Sequence, residues 1–380
     1  MAPIKETATR LISISKLLFL SYIIDWIFII GIALIGYGFF KQPPNHHPFS
    51  LTDPTISYPH TDESVTTKTL LLVCLFAPAV LIFLGAWLLV PATATESTQS
   101  PSTGPKPPAA VYIRRKLWEW NVGWMGLGLA LAGAWSATEG LKVLIGKPRP
   151  DMLARCDPDL ARIGKFMVGG LGDRMRGGAT LVSWEICRSA SKALTRDGFT
   201  SFPSGHASFS FAGLIYLTLW LSAKFSVAFP YLPRYPVEDQ THTDDRASVR
   251  SRGAAPPVYL MLIVFVPTAT ACFIAASRWF DFRHHGFDIL FGSALGLFFA
   301  YIGFNMYHLP IRRGAGWAWG PRTRRRAFLR GVGFPSSLGT DSWAFDTRRG
   351  VDLENGTMHG PSGGHIKPES SEGRQGGLQV

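Results

Sequence analysis

The sequence predicts an all-α, polytopic membrane protein with six transmembrane helices. Three observations predict it. The 380 residues are 47% hydrophobic and only 17% charged, the apolar residues gather into six separate long runs, and Lys and Arg crowd alternate connections between those runs. A helix needs roughly 20 apolar residues to cross the hydrocarbon of a bilayer. A helix in the core of a soluble domain usually keeps a polar stripe, which these runs lack.

The runs extend from Leu17 to Phe40, Thr69 to Val90, Asn121 to Ile145, Ala207 to Ala223, Val258 to Ala276 and Phe287 to Met306. The first is too long, and too far from a small-residue cleavage site, for a secretory signal peptide, so it is expected to stay as an anchor. Lys5, Arg10 and Lys16 precede it. Lys106, Arg114, Arg115 and Lys116 lie in the second connection, Lys224, Arg234, Arg246, Arg250 and Arg252 in the fourth, and Arg312, Arg313, Arg322 and Arg324 to Arg326 after the last run. Basic residues resist translocation, so these four segments are expected in the cytosol and the first, third and fifth connections on the other side. The third connection is itself rich in basic residues and is the exception to the pattern.

Outside the runs the composition changes. Residues 91–110 and 234–256, rich in Pro, Ser, Thr or charge, read as flexible cytosolic segments. The domain organisation expected is a cytosolic segment 1–16, a membrane domain 17–310 and a basic, then disordered, cytosolic tail 311–380. The sequon at Asn355 falls in that tail, where glycosylation is not expected. The formal net charge of +12 flanks membrane helices without any nucleic-acid motif, so anionic lipid is the expected partner and nucleic acid is not. Trp118, Trp120 and Trp124 read as an interfacial aromatic belt. Cys74 and Cys272 lie within apolar runs as packed thiols. Cys156 and Cys187 share the third connection, in a compartment expected to be oxidising; a bridge between them and two free thiols are the two readings.

Three polar clusters interrupt the apolar chain: Lys142-x6-Arg149-Pro150, Pro203-Ser204-Gly205-His206 and Ser277-Arg278-x5-His284-x3-Asp288. Counted from a cytosolic N-terminus, all sit at helix ends on the non-cytosolic membrane interface, where an active site is therefore expected. Lys142, Arg149 and Arg278 bring three cations to one place and call for an anion, and phosphate fits the planar donor fork of Arg. Ser204 and Gly205 at a helix start add backbone N–H groups. Asp288, four residues after His284, could orient that imidazole for attack if the turn between them is helical. His206 could supply and remove protons. Cationic stabilisation of this kind needs no metal.

These clusters resemble the three signature motifs of the type 2 phosphatidic acid phosphatase superfamily, with all eleven specified residues present in order. The resemblance covers about residues 115 to 310. The stretch Asp197 to His206 is similar to the branch that handles diacylglycerol pyrophosphate, phosphatidate and lysophosphatidate. It implies a metal-independent lipid phosphate phosphatase with His284 as nucleophile, His206 as acid and Asp288 as orienter. Lys142, Arg149, Ser204, Gly205 and Arg278 would bind the substrate phosphate, and no metal or other cofactor is expected. A lipid phosphotransferase with an alcohol acceptor and a non-enzymatic lipid transporter are the alternatives. The expected setting is an endomembrane or the plasma membrane.

Five further features invite a functional reading. His285 reads as an interfacial histidine, and His46 with His47 as part of a solvated, Pro-rich loop lacking further ligands at metal spacing. Pro361 to His365 imitates the second motif by chance. Glu139, three residues before Lys142, is placed to pair with it, whereas Asp25, inside the first run, has no evident partner.

Overall fold

The structure, a computed structural model, describes residues 16–90, 109–172, 174–189, 191–225 and 257–309, with 227, 311, 318 and 322. The segment 1–15, most of 91–110, the loop 234–256, the sequon and nearly all of the tail lie outside the described residues. Six long helices carry the fold: α1 (Lys16–Lys41), α2 (Thr67–Leu89), α3 (Ala109–Ile145), α4 (Gly205–Lys224), α5 (Val258–Phe280) and α6 (Gly286–Tyr307). Each apolar run thus became one helix, with ends moved by a few residues, except for α3. That helix begins twelve residues before the expected Asn121, because Tyr112 to Lys116 are acceptable helix formers although too charged to count as membrane.

All the long helices except α3 are long and apolar enough to cross a membrane, and the chain is an integral membrane protein. The exception is the central helix, packed against α1, α2, α4 and α6. Its glycines explain both its modest hydropathy and its position. A Cβ at Gly126 would collide with Tyr216 and the Gly303 carbonyl, and one at Gly133 with Phe299. The core between these helices contains Leu127, Leu131, Tyr216, Trp220 and Phe304. Lipid is left to the outer helices, whose Phe28, Leu88, Leu262, Phe273 and Leu290 are exposed. Buried ends are neutralised locally: Lys224 donates to Glu119 at 2.7 Å, tying α4 to α3. Asp25 receives Arg322 Nη2 at 2.6 Å and so acquires the partner its own helix does not supply.

At the other end of the bundle the third connection, joined by Phe49 and Ile56 of the first, folds into a small cap. Three short antiparallel strands, β1 (Phe49–Ser50), β2 (Met167–Gly170) and β3 (Thr180–Val182), pair in the order β1-β3-β2. Phe49, Met152, Ile186 and Phe199 form its own apolar core. Cys156 and Cys187 are joined in a disulfide, with Cα atoms 4.7 Å apart; of the two readings, the bridge is the one observed. His46 is not solvated as expected. Its ring lies against Trp184 and Phe199, and its Nε2 is 2.5 Å from the Thr195 carbonyl.

Candidate functional site

The three polar clusters meet where the cap covers the ends of α3 to α6. Gly146, at φ 61°, ends α3 and turns the chain away from the helix axis. Glycine adopts that conformation without steric cost, and a Cβ there would overlap the Asn45 carbonyl. The turn brings Lys147 to Pro150 under the loop that precedes α4, with Arg149 N donating to Gly198 O at 2.8 Å and Ser201 N to Lys147 O at 3.0 Å. Ser204 is the N-cap of α4. Close approach of α6 is permitted by Gly292, where a Cβ would meet the Ser204 carbonyl at 2.6 Å.

Both histidines are held by main-chain carbonyls. Buried His284 places Nδ1 2.6 Å from Ser201 O, and His206 places Nε2 3.1 Å from Val65 O. Arg149 and Lys142 act electrostatically on both rings, and Arg278 on His206. Burial first, then the field of Arg149, pushes the His284 pKa well below the ordinary imidazole range. The ring is therefore neutral, with one nitrogen available as a nucleophile. Lys142 Nζ lies against Gly205, close enough that a Cβ there would stand 2.9 Å from it. The Ser204 hydroxyl is buried and has no hydrogen-bond partner among the described residues. A buried polar group left in that state costs roughly 1–3 kcal/mol, which an arriving oxyanion would relieve.

Two sequence expectations are corrected. The first is that Asp288 touches His284. Helix α6 begins only after His284: His285 is its N-cap, and Asp288 occupies the third position of a capping box. Its Oδ2 accordingly accepts from His285 N at 3.2 Å and from Ser201 Oγ at 2.6 Å, while Oδ1 accepts from Lys147 Nζ at 2.8 Å. The second concerns the three cations: an arriving anion is expected between them, and only Lys142 is assigned a carboxylate of the protein. Lys142 donates to Glu139 at 2.6 Å, as the spacing predicted, Arg149 to Asp197 at 3.0 Å and Arg278 to Asp281 at 2.8 Å. Unpaired cations at a membrane boundary are costly enough that the protein supplies its own carboxylates.

Other groups at the site went unread in the sequence. Arg283 bridges Glu63 (2.6 Å) and Asp197 (3.1 Å), and Arg155 bridges Asp151 and Asp197. For Asp197, burial pushes the pKa up, but Arg149, Arg283 and Arg155 outweigh it and hold the carboxyl below the ordinary range. The first connection, assigned no role from sequence, straps the site. Ser64 N and Oγ donate to Asp281, His60 Nδ1 lies 2.7 Å from Asp151, and Tyr58 N donates to Pro150 O. His285, read as an ordinary interfacial histidine, belongs to the Asp288 network. Adjacency of Lys147 and Arg283 to motif residues was the one available signal; Glu63 and Ser64 carried none.

A helical membrane bundle whose helix ends gather one buried and one half-buried histidine and a cluster of cations under a covering cap defines an anion-handling membrane protein. A profile of the PAP2 superfamily matches residues 122–312, a segment that includes α4 to α6 and all three clusters, and the chain belongs to that superfamily. It is 27% identical over 289 residues to diacylglycerol pyrophosphate phosphatase 1 of Saccharomyces cerevisiae, covering 76% of this chain and 80% of that protein. It is 29% identical over 289 residues to the probable diacylglycerol pyrophosphate phosphatase 1 of Schizosaccharomyces pombe, covering 76% and 81% respectively. With lipid phosphate phosphatase 1 of Arabidopsis thaliana the identity is 30% over 243 residues, 62% of each chain. No solved structure matches the chain.

Proposed function

We propose that the chain is a lipid phosphate phosphatase that hydrolyses phosphatidate, lysophosphatidate or diacylglycerol pyrophosphate through a phosphohistidine and without a metal ion. The observation that carries this reading is the convergence of His284 and His206 on Lys142, Arg149 and Arg278, beside the unpartnered Ser204 hydroxyl. In the first step His284 Nε2 attacks phosphorus, the N–P bond forms and the P–O bond to the lipid breaks. His206, protonated once the bound phosphate dianion offsets Lys142, Arg149 and Arg278, gives its proton to the departing oxygen. In the second step His206 takes a proton from water, whose oxygen attacks phosphorus and breaks the N–P bond, releasing inorganic phosphate.

Lys142, Arg149, Arg278, the Ser204 hydroxyl and the Gly205 N–H hold the non-bridging oxygens, and Asp288 fixes the segment bearing His284. Their positive charge stabilises the transferring phosphoryl group in the way a metal would elsewhere. The relatives named for diacylglycerol pyrophosphate support a substrate that keeps its acyl chains in the bilayer.

In this reading α3 is the sixth span, residues 17–310 form the phosphatase domain, and the flanking segments 1–16 and 311–380 are cytosolic. The site then faces the lumen or exterior. The Cys156–Cys187 bridge supports that side, because disulfides persist in oxidising compartments. The test is phosphate release from phosphatidate and from diacylglycerol pyrophosphate by detergent-purified protein in excess EDTA, compared with His284→Ala. Activity that survives chelation and disappears in the variant is expected. Absence of release from either lipid by the unaltered protein overturns the phosphatase reading, and loss of activity in EDTA overturns the metal-free one.

A further inference from the structure

Resting on the reading of His284 as nucleophile, we propose that Ser201 is the residue that positions it, and that Asp288 orients the His284 ring through Ser201. Ser201 is fully buried and is held at three points. Its N–H donates to the Lys147 carbonyl at 3.0 Å, its hydroxyl donates to Asp288 Oδ2 at 2.6 Å, and its carbonyl faces His284 Nδ1 at 2.6 Å. Lys147 closes the ring by donating from Nζ to Asp288 Oδ1 at 2.8 Å. With amide and hydroxyl both anchored, the Ser201 carbonyl has one direction.

That direction decides the chemistry of the ring. A carbonyl oxygen can only accept, so His284 must carry its hydrogen on Nδ1, and the lone pair is left on Nε2. When Nε2 takes the phosphoryl group the ring becomes cationic, and the same carbonyl then stabilises the charged Nδ1–H more strongly than it did the neutral one. Asp288 cannot do this directly, because both its oxygens serve Lys147, Ser201 and the N-cap of α6. It holds the residue that does.

The test is a double-mutant cycle between Ser201→Ala and Asp288→Asn on the detergent-purified full chain, with phosphatidate as substrate. Ser201→Ala is expected to lower kcat by about ten- to a hundredfold, since a small misplacement of a reacting group costs that much, with KM little changed. The acidic limb of the pH profile moves to lower pH, because a misdirected carbonyl no longer favours the protonated ring. In the Asp288→Asn background the same change is expected to cost less than about twofold, the signature of two residues acting in series. Losses that multiply, or a Ser201→Ala protein with the parent kcat and pH profile, overturn the proposal. If Ser201→Ala does not fold, Ser201→Thr, which keeps the hydroxyl, provides the comparison. Nitrogen NMR of His284 in the unaltered protein decides independently, because a hydrogen found on Nε2 overturns the proposal. His284→Ala runs alongside: if it stays active, the parent reading has failed, whereas an inactive His284→Ala with normal Ser201→Ala sinks only the role of Ser201.

Discussion

The Glu139 carboxylate accepts a hydrogen bond from the Lys142 ammonium at 2.6 Å, one turn apart on α3, with both side chains largely buried. The pair aims Lys142 at Gly205, where the second cluster begins. Removing Glu139 therefore leaves a buried ammonium without its partner and frees its direction. Glu139→Ala is expected to raise KM for phosphatidate by about tenfold or more and to lower thermal stability, since breaking a buried pair costs about 3–5 kcal/mol. Steady-state kinetics and thermal unfolding check this. An unchanged KM would mean that Lys142 does not meet the phosphate.

Asp197 plays the corresponding part for the arginines, receiving Arg149, Arg155 and Arg283 together. Asp197→Asn keeps the shape but removes the charge that opposes three guanidinium groups. We expect kcat/KM to fall about tenfold or more as Arg149 loses its fixed orientation. The comparison is with Asp159→Asn, a carboxylate paired with Arg162 and Arg188 elsewhere in the cap, which should leave kinetics near those of the parent.

The Cys156–Cys187 disulfide spans 31 residues of the cap. A loop of that size restricts the unfolded chain by about 2–4 kcal/mol. Cys156→Ser with Cys187→Ser is expected to lower Tm, and the parent protein should shift mobility on a non-reducing gel when reduced. Because Arg155 adjoins Cys156 and pairs with Asp151 and Asp197, activity should fall along with stability. Loss of stability alone would show that the cap and the arginine cluster are independent.

The depressed pKa of His284 has a consequence for stability. Below about pH 6.5 the unfolded chain binds a proton on this imidazole, whereas the folded chain, with Arg149, Lys142 and His206 facing the ring, does not. Stability from this group is therefore lost as pH falls below the unfolded value, by about 1.4 kcal/mol per pH unit at most. His284→Gln lacks this proton uptake while keeping the other titrating groups. Unfolding measured from pH 7 to pH 5 should show the parent losing stability faster than the variant, and parallel curves would contradict the buried, neutral histidine.

The spans were legible because the bilayer imposes a length that apolar runs display directly; Leu17 to Phe40 and Phe287 to Met306 became α1 and α6 with ends moved by one residue. The residues of the candidate site were legible as motifs, and the Glu139–Lys142 pair as a helical spacing. What was not legible depends on tertiary pairing. Asp288 was read as if the turn after His284 were helical, when His285 caps α6 instead. The carboxylates facing Arg149 and Arg278 could not be foreseen from a count of cations. Residues 42–66 have neither periodicity nor a motif, yet Glu63, Ser64 and Val65 reach Arg283, Asp281 and His206. The start of α3 was misplaced because charge, which limits membrane insertion, does not limit helix formation.

The glycines on α6 bear on how the chain can change. At Gly292 and Gly296 any side chain would meet the Ser204 and Ser208 carbonyls of α4, so main chain rests on main chain between the helix that begins beside His206 and the one that begins just after His284. The span separating the two histidines is thereby set by backbone thickness, not by the size of packed side chains. The outward residues Leu290, Phe298 and Tyr301 take no part in that contact. The lipid-facing side of α6 can therefore vary in sequence while the interval between the two histidines stays constant.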